Sequence, residues 1–191
     1  MEEHGIIRVR QFHQDDQLQV IRLYREAMLS YTLENSIPEI PPLCRKFVEG
    51  KCGPGGDMHD INQYFLQQGP PSNFFVAIND RDEIIGCVGA IPSSQWNQAE
   101  FIELVRMCVA NSYRGSGVGN ILLKAFEDWA TSLGFKKINL NTLDGMLPAV
   151  KFYMKNDFKL VKSLVINPRR NKKKASNHIV NSVHFVKELF S

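Results

Sequence analysis

Three glycines stand together in Arg114-Gly115-Ser116-Gly117-Val118-Gly119, shortly after an apolar stretch (101–109) and at the mouth of an amphipathic one (117–133). That order reads as strand, glycine-rich turn and helix. Glycine lets the backbone take positive φ and lets a ligand approach the main chain. The first amides of a helix have no intrahelical acceptor, and the helix dipole favours negative charge there. Such a turn can cradle a pyrophosphate, with Arg114 adding a charged contact. The competing reading is a connection whose glycines only save space. Two other phosphate cradles fit less well. A Walker loop places Lys and then Ser or Thr after its last glycine, where this chain has Asn120 and Ile121. A dinucleotide fingerprint is G-x-G-x-x-G, whereas from Gly115 this chain gives G-x-G-x-G.

Glu103 is the second chemical candidate. At period two, Phe101, Glu103, Val105, Met107 and Val109 share one strand face, with Cys108 on the opposite face. A carboxylate among four apolar residues is costly to bury, and desolvation makes a carboxylate a stronger base. The other reading is a strand-edge Glu103, solvated or paired with an arginine such as Arg106. Tyr153 follows Ala149 by one helical turn, so the two face the same way. Cys108, in a buried apolar strand, is expected to stay protonated and inert.

The elements that position these residues read in order. Residues 6–12 alternate as a first strand. Asp15 or Asp16 caps a helix with Val20, Tyr24, Ala27, Met28 and Tyr31 on one stripe. Residues 35–58 hold Pro38, Pro41, Pro42 and a glycine-rich end, and are expected to be a long loop or lid, with a turn of helix at most over 45–49. A short helix follows over 60–67. Strands over 73–79 and 83–91 form a hairpin, where Gly86 and Gly89 mark a bulge or a close backbone approach. The helix over 117–133 presents Ile121, Leu122, Ala125, Phe126, Trp129, Ala130 and Leu133 on one face. A strand (137–141), a short helix (148–155) and two pairing strands (158–165, 179–189) complete the chain, with a polar, basic loop over 167–177. The result is a mixed sheet with helices on both faces.

R-x-x-G-x-G after a strand and opening a helix resembles the acyl-CoA-binding motif of the GNAT superfamily of acetyltransferases, with Arg114, Gly117 and Gly119 at its fixed positions. RMCV before the turn and PAVKFYMKNDFKLV after it are similar to the camello-like and related N-acetyltransferases. The resemblance covers residues 73–165 and implies an α/β (α+β) fold with a splayed mixed sheet of six to seven strands. It implies a single N-acetyltransferase domain over 1–191, acetyl-CoA as cosubstrate and a primary amine as acceptor. Backbone groups of Met107, Cys108 and Val109 would hold the pantetheine arm. The amides of Gly115, Ser116, Gly117, Val118, Gly119 and Asn120 would hold the pyrophosphate, and Asn141 would add a pantetheine contact.

The resemblance also assigns roles. Glu103 precedes Val109 by six, the spacing at which many members carry a general base acting directly or through water. Tyr153 would protonate the leaving thiolate, or be a core tyrosine beside the sulphur. Two positions depart from the family pattern. Met146 stands where an Asn often contacts the cofactor, and Asp157 replaces the glycine before Phe158. Aspartate tolerates the left-handed conformation better than most residues, so that turn can survive. The alternative to an enzyme is a non-catalytic acyl-CoA-binding regulatory module.

Composition sets the outer bounds. The 191 residues suit one domain, and 43% apolar content is ordinary for a globular chain. No apolar run reaches the roughly 20 residues of a membrane span. Nothing at the N-terminus reads as a secretory signal. A cytoplasmic address is expected, with a nuclear one as the variant. Net charge is +3, too mild to argue for nucleic acid, although PRRNKKK (168–174) reads as an import or nucleic-acid patch or as a solvated hairpin loop. Cys44, Cys52, Cys87 and Cys108 contain no C-x-x-C pair and are read as reduced. With His59 the first two fit no standard zinc spacing, so no metal is expected. A monomer or homodimer is expected.

Overall fold

A computed structural model describes residues 5–34, 40–69, 71–166 and 180–189. In chain order the elements are β1 (Arg8–Gln11), α1 (Gln17–Glu34), α2 (Ile40–Cys52), β2 (Asn73–Ile78), β3 (Ile84–Pro92) and β4 (Phe101–Val109). After them come α3 (Val118–Ser132), β5 (Lys137–Leu143), α4 (Leu147–Lys155), β6 (Lys159–Ile166) and β7 (Val180–Glu188). A 3₁₀ turn (Gln14–Asp16) leads into α1, and a π-helical turn (Asn62–Leu66) precedes β2.

The strands make one sheet in the order β1-β2-β3-β4-β5-β7-β6. Every neighbouring pair is antiparallel except β4 and β5. A parallel neighbour needs a crossover, and α3 supplies it. Two apolar layers cover the sheet. Val118, Leu122, Leu123, Phe126 and Ala130 of α3 pack with Ile102, Leu104, Ile138, Leu140 and Phe185. Val20, Leu23 and Tyr24 of α1 and Val48 and Cys52 of α2 pack with Phe74, Val76 and Cys87. Along β2, residues two apart serve the same layer, as the pleat requires. The buried stripe of α3 steps by four from Val118 to Ala130. Ile121 and Leu133, expected on that stripe, are exposed.

The expected long loop over 35–58 is largely helical instead. Pro41 and Pro42 sit in the first turn of α2, where backbone N–H groups have no intrahelical acceptor and a missing donor costs nothing. Cys44, Val48 and Cys52 then recur every fourth residue and are buried. Residues 35–39 lie outside the described residues.

Asp16 closes the entry to α1. Its carboxylate accepts the His13 N–H at 2.7 Å and two hydrogen bonds from Arg10 at 2.6 and 2.9 Å. Burial works against the charge, but the bonds from Arg10 and His13 outweigh it and lower the Asp16 pKa. A lowered carboxylate stabilises the fold above its unfolded pKa and loses that contribution as pH falls through the folded value. Asp16→Asn is therefore expected to cost about 1–2 kcal/mol at neutral pH. Urea titration should show the gap to the parent closing as pH falls below the ordinary value of 3.8.

Candidate active site

Three parallel pairs join β4 to β5: Phe101 to Lys137, Ile102 to Ile138, and Glu103 to Asn139. Beyond Glu103 the two strands diverge, while β5 continues against β7 as far as Leu143. The β5-facing edge of β4 thus loses its ladder partner from residue 104 onward. Within that stretch β4 carries a bulge. Cys87 pairs with Cys108 and Gly89 with Val105, so Arg106 and Met107 together oppose Val88. Arg106 takes φ of 55°, a left-handed value costly for a long side chain.

The bulge inverts the strand's alternation. Val105 and Cys108 pack in the layer under α1 and α2, whereas Met107 and Val109 pack in the layer under α3. Glu103 therefore does not share a face with Met107 and Val109, and Cys108 is not on the face opposite Glu103, contrary to the period-two reading. Arg106 does not pair with Glu103 either. It gives Nε and Nη2 to Asp57 at 3.0 and 2.6 Å.

The glycine turn follows a 3₁₀ turn (Asn111–Tyr113). Gly117, with φ of 94°, caps α3 and accepts the Asn120 and Ile121 amides at 3.0 and 3.1 Å. A Cβ on Gly119 would meet the Phe152 ring at 3.1 Å, so this glycine also lets α3 and α4 approach. A groove of about 370 Å³ runs along the turn. Met107, Cys108, Val109, Arg114, Gly115, Gly117, Gly119 and Asn120 of the expected cofactor set line it. Three others do not. Ser116 donates its hydroxyl to the Tyr113 carbonyl at 2.7 Å. The Val118 side chain is core, which leaves only its backbone for a ligand. Asn141 lies in the neighbouring cavity. Arg114 reaches back to α1, donating to the Ala27 carbonyl at 2.8 Å and the Ser30 hydroxyl at 3.3 Å, so it also fixes the turn against that helix.

That second cavity, about 540 Å³, lies between α2 and the divergent strands. Glu103, 7% exposed, lines it. Its Oε2 accepts the Ser94 amide and hydroxyl at 3.4 and 3.3 Å, and its Oε1 accepts from Asn141 at 3.3 Å. Met28, Met107, Met146, Ala149 and Tyr153 line both spaces, so groove and cavity meet there. Tyr153 is buried, with its ring edge-on to Phe152 and Phe158 at 5.4 Å. Asp157 holds φ of 65°, the conformation expected of a residue standing where a glycine is usual.

The cavity also holds residues that were not candidates from sequence: Lys51, Asp57, Tyr64 and Arg106. Burial works against the Arg106 charge, but the Asp57 bonds outweigh it and raise its pKa. Burial pushes the Tyr24 phenol up, so it stays protonated. Cys87 lies 3.5 Å from Cys108, and that contact together with burial raises its pKa. Behind Glu103, the Asn139 amide and His184 Nδ1 are buried without a hydrogen-bond partner among the described residues. The basic run 168–174 lies outside the described residues.

Residues 43–158 match the model of a family described as "Acetyltransferase (GNAT) family". The match takes in well over half of the chain, and the protein belongs to the GNAT family of acetyltransferases. It is 33% identical over 111 residues to an N-acetylaspartate synthetase of Xenopus tropicalis, covering 58% of this chain and 39% of that one. It is 35% identical over 113 residues to the "Probable N-acetyltransferase camello" of Xenopus laevis, covering 59% and 48%. The chain thus spans less than half the length of either relative. A crystal structure of a GNAT acetyltransferase from Staphylococcus aureus Mu50 overlays on 97% of this chain and 100% of its own with a TM-score of 0.68, at 19% identity. That likeness establishes the fold. Among the described residues no helix is long and apolar enough to cross a membrane.

Two glycine substitutions separate close packing from backbone strain. Gly119→Val drives a branched side chain into Phe152 and is expected to cost about 1–3 kcal/mol. Gly117→Ala meets no atom within 4 Å and costs only its positive φ, about 1–2 kcal/mol. Urea midpoints and the melting temperature of each variant check both.

Proposed function

We propose that the protein transfers an acetyl group from acetyl-CoA to a primary amine by direct attack. The observation that carries this reading is the junction of groove and cavity at Tyr153, with Glu103 in the cavity. Acetyl-CoA supplies the activated thioester. Amides within residues 115–119 hold the pyrophosphate at the head of α3, where the helix dipole favours negative charge, whereas the Asn120 amide is already given to the Gly117 carbonyl. The pantetheine arm takes the place of the missing ladder partner along the unpaired edge of β4, with Met107, Cys108 and Val109 as contacts. Amides near Val109 polarise the thioester carbonyl, as oxyanion donors do.

Glu103, oriented by Ser94 and Asn141, takes the proton that the amine sheds, directly or through water. The amine nitrogen bonds to the carbonyl carbon, the carbon–sulphur bond breaks, and Tyr153 gives its phenolic proton to the thiolate. Holding both reactants across one junction supplies much of the rate. Asn141 serves here as a partner of Glu103 rather than of the cofactor. We treat residues 1–191 as one catalytic domain. Four free cysteines, two of them 3.5 Å apart, fit a reducing compartment such as the cytoplasm or nucleus.

Glu103→Gln and Tyr153→Phe are each expected to lower kcat by about 10²–10⁴. Acetyl-CoA affinity should fall far less than kcat, because neither change removes a contact to the pyrophosphate or to the backbone that holds the pantetheine arm. Thiol release across an amine panel and calorimetry with acetyl-CoA check this. Tight acetyl-CoA binding with no thiol release from the unmutated protein would favour the non-catalytic binding module.

A further inference from the structure

The acceptor cavity has a polarity that the acetyl-transfer reading leaves unexplained. Among the described residues, the charged side chains that line it are Glu103, Asp57, Lys51 and Arg106. They are not spread evenly. Arg106 and Lys51 share one carboxylate, Asp57, which takes two short bonds from Arg106 and one at 3.4 Å from Lys51. Two cations against one anion leave this corner, among the described residues, with an excess of one positive charge. A lysine ammonium has three donors, and Asp57 takes one of them. The Phe47 ring lies under both cations, 5.1 Å from the Arg106 guanidinium carbon and 5.7 Å from Lys51 Nζ. It holds them side by side at the cavity wall. Tyr64 adds a phenol to the same lining. Glu103 stands apart from this corner, paired with Ser94 and Asn141 rather than with either cation.

Arg106 reaches this position only through the bulge. Unbroken alternation from Ile102 and Leu104 would send it under α3. Its left-handed backbone turns it under α1 and α2 instead, at an intrinsic cost of about 1–3 kcal/mol. A bulge beside a cavity commonly re-aims one side chain. Here that side chain is the cavity's most buried cation, with 12% of its surface exposed.

We propose that the acceptor is a primary amine that also carries a carboxylate, an amino acid in the broad sense, with its amine at Glu103 and its carboxylate at the Arg106–Lys51 corner. This rests on the acetyl-transfer reading and adds the substrate class to it. Glu103 is the complement for an ammonium group and the corner is the complement for an anion, so one acceptor lies across the cavity in one orientation. An amine without the carboxylate leaves the excess positive charge uncompensated. An acceptor with a second cation in place of the carboxylate is repelled by it. Three residue steps along β4 separate Glu103 from Arg106, about 10 Å of backbone at most.

The test compares matched pairs: phenylalanine with phenethylamine, lysine with cadaverine, and 6-aminohexanoate with hexylamine, each with acetyl-CoA in a thiol-release assay. At least one carboxylate-bearing member should exceed its partner in kcat/KM by about 10-fold or more, carried mainly by KM, as a charge-assisted contact implies. Lys51→Met should shrink that ratio while sparing the short bonds between Arg106 and Asp57. Equal use of both members in every pair, or a preference that Lys51→Met leaves intact, overturns the proposal while acetyl transfer stands. If no amine releases thiol, acetyl transfer itself fails. Calorimetry with N-acetylphenylalanine and N-acetylphenethylamine then reads the corner without turnover. Tighter binding of the acid, lost in Lys51→Met, supports the carboxylate corner, and equal binding overturns it.

Discussion

The parallel ladder between β4 and β5 stops after Glu103 meets Asn139, and the rest of the site is arranged around that stop. An unpaired strand edge inside a protein is costly unless something satisfies it. Here the edge faces the groove that leads from the glycine turn, so a ligand with its own amides can complete what β5 leaves open. β5 does not bend away freely. It is held along its whole length by β7, from Lys137 opposite Glu188 to Leu143 opposite Ser182. The divergence is therefore built into the sheet. The bulge at Arg106 and Met107 then divides the edge into two parts. One part presents Glu103 to the cavity under α1 and α2, and the other presents Met107 and Val109 to the layer under α3.

Side chains at the junction suit a site where two ligands must touch. Met28, Met107 and Met146 line both spaces, and a thioether chain adapts its shape at little cost. Rigid elements stand behind them. The glycine turn is tied to α1 through Arg114. The start of α3 is tied to the end of α4 through Asn120 and Asn156, whose side-chain amides meet at 3.2 Å. A mobile lining on a fixed frame keeps the two cavities aligned while their contents change.

Much of this was legible in the chain because the signals were local. The strand over 101–109, the three glycines and the apolar stripe of α3 announce themselves within thirty residues. The sheet with helices on both faces followed from element order, and the family from R-x-x-G-x-G. What escaped depends on distant contacts. The bulge leaves no mark in RMCV, because it arises from how β4 sits against Val88 and Gly89 of β3. Every face assignment beyond Val105 failed with it. α2 was hidden by Pro41 and Pro42, which argue against a helix interior but not against a first turn. The cationic corner was invisible because Lys51, Asp57 and Arg106 belong to segments that only folding brings together. The hydrogen bond from the Asn141 side chain to Glu103 joins two strands 38 residues apart, and no local pattern announces it.

Acetyl transfer at this site depends on the unpaired edge of β4 receiving the acyl-pantetheine arm. Amide hydrogen exchange with and without acetyl-CoA measures this edge directly, because backbone groups that gain a partner slow their exchange. The predicted result is new protection within residues 104–109 and 115–119, with little change along β5 from 137 to 143, which is already paired with β7. Saturating acetyl-CoA that leaves residues 104–109 unprotected would contradict it.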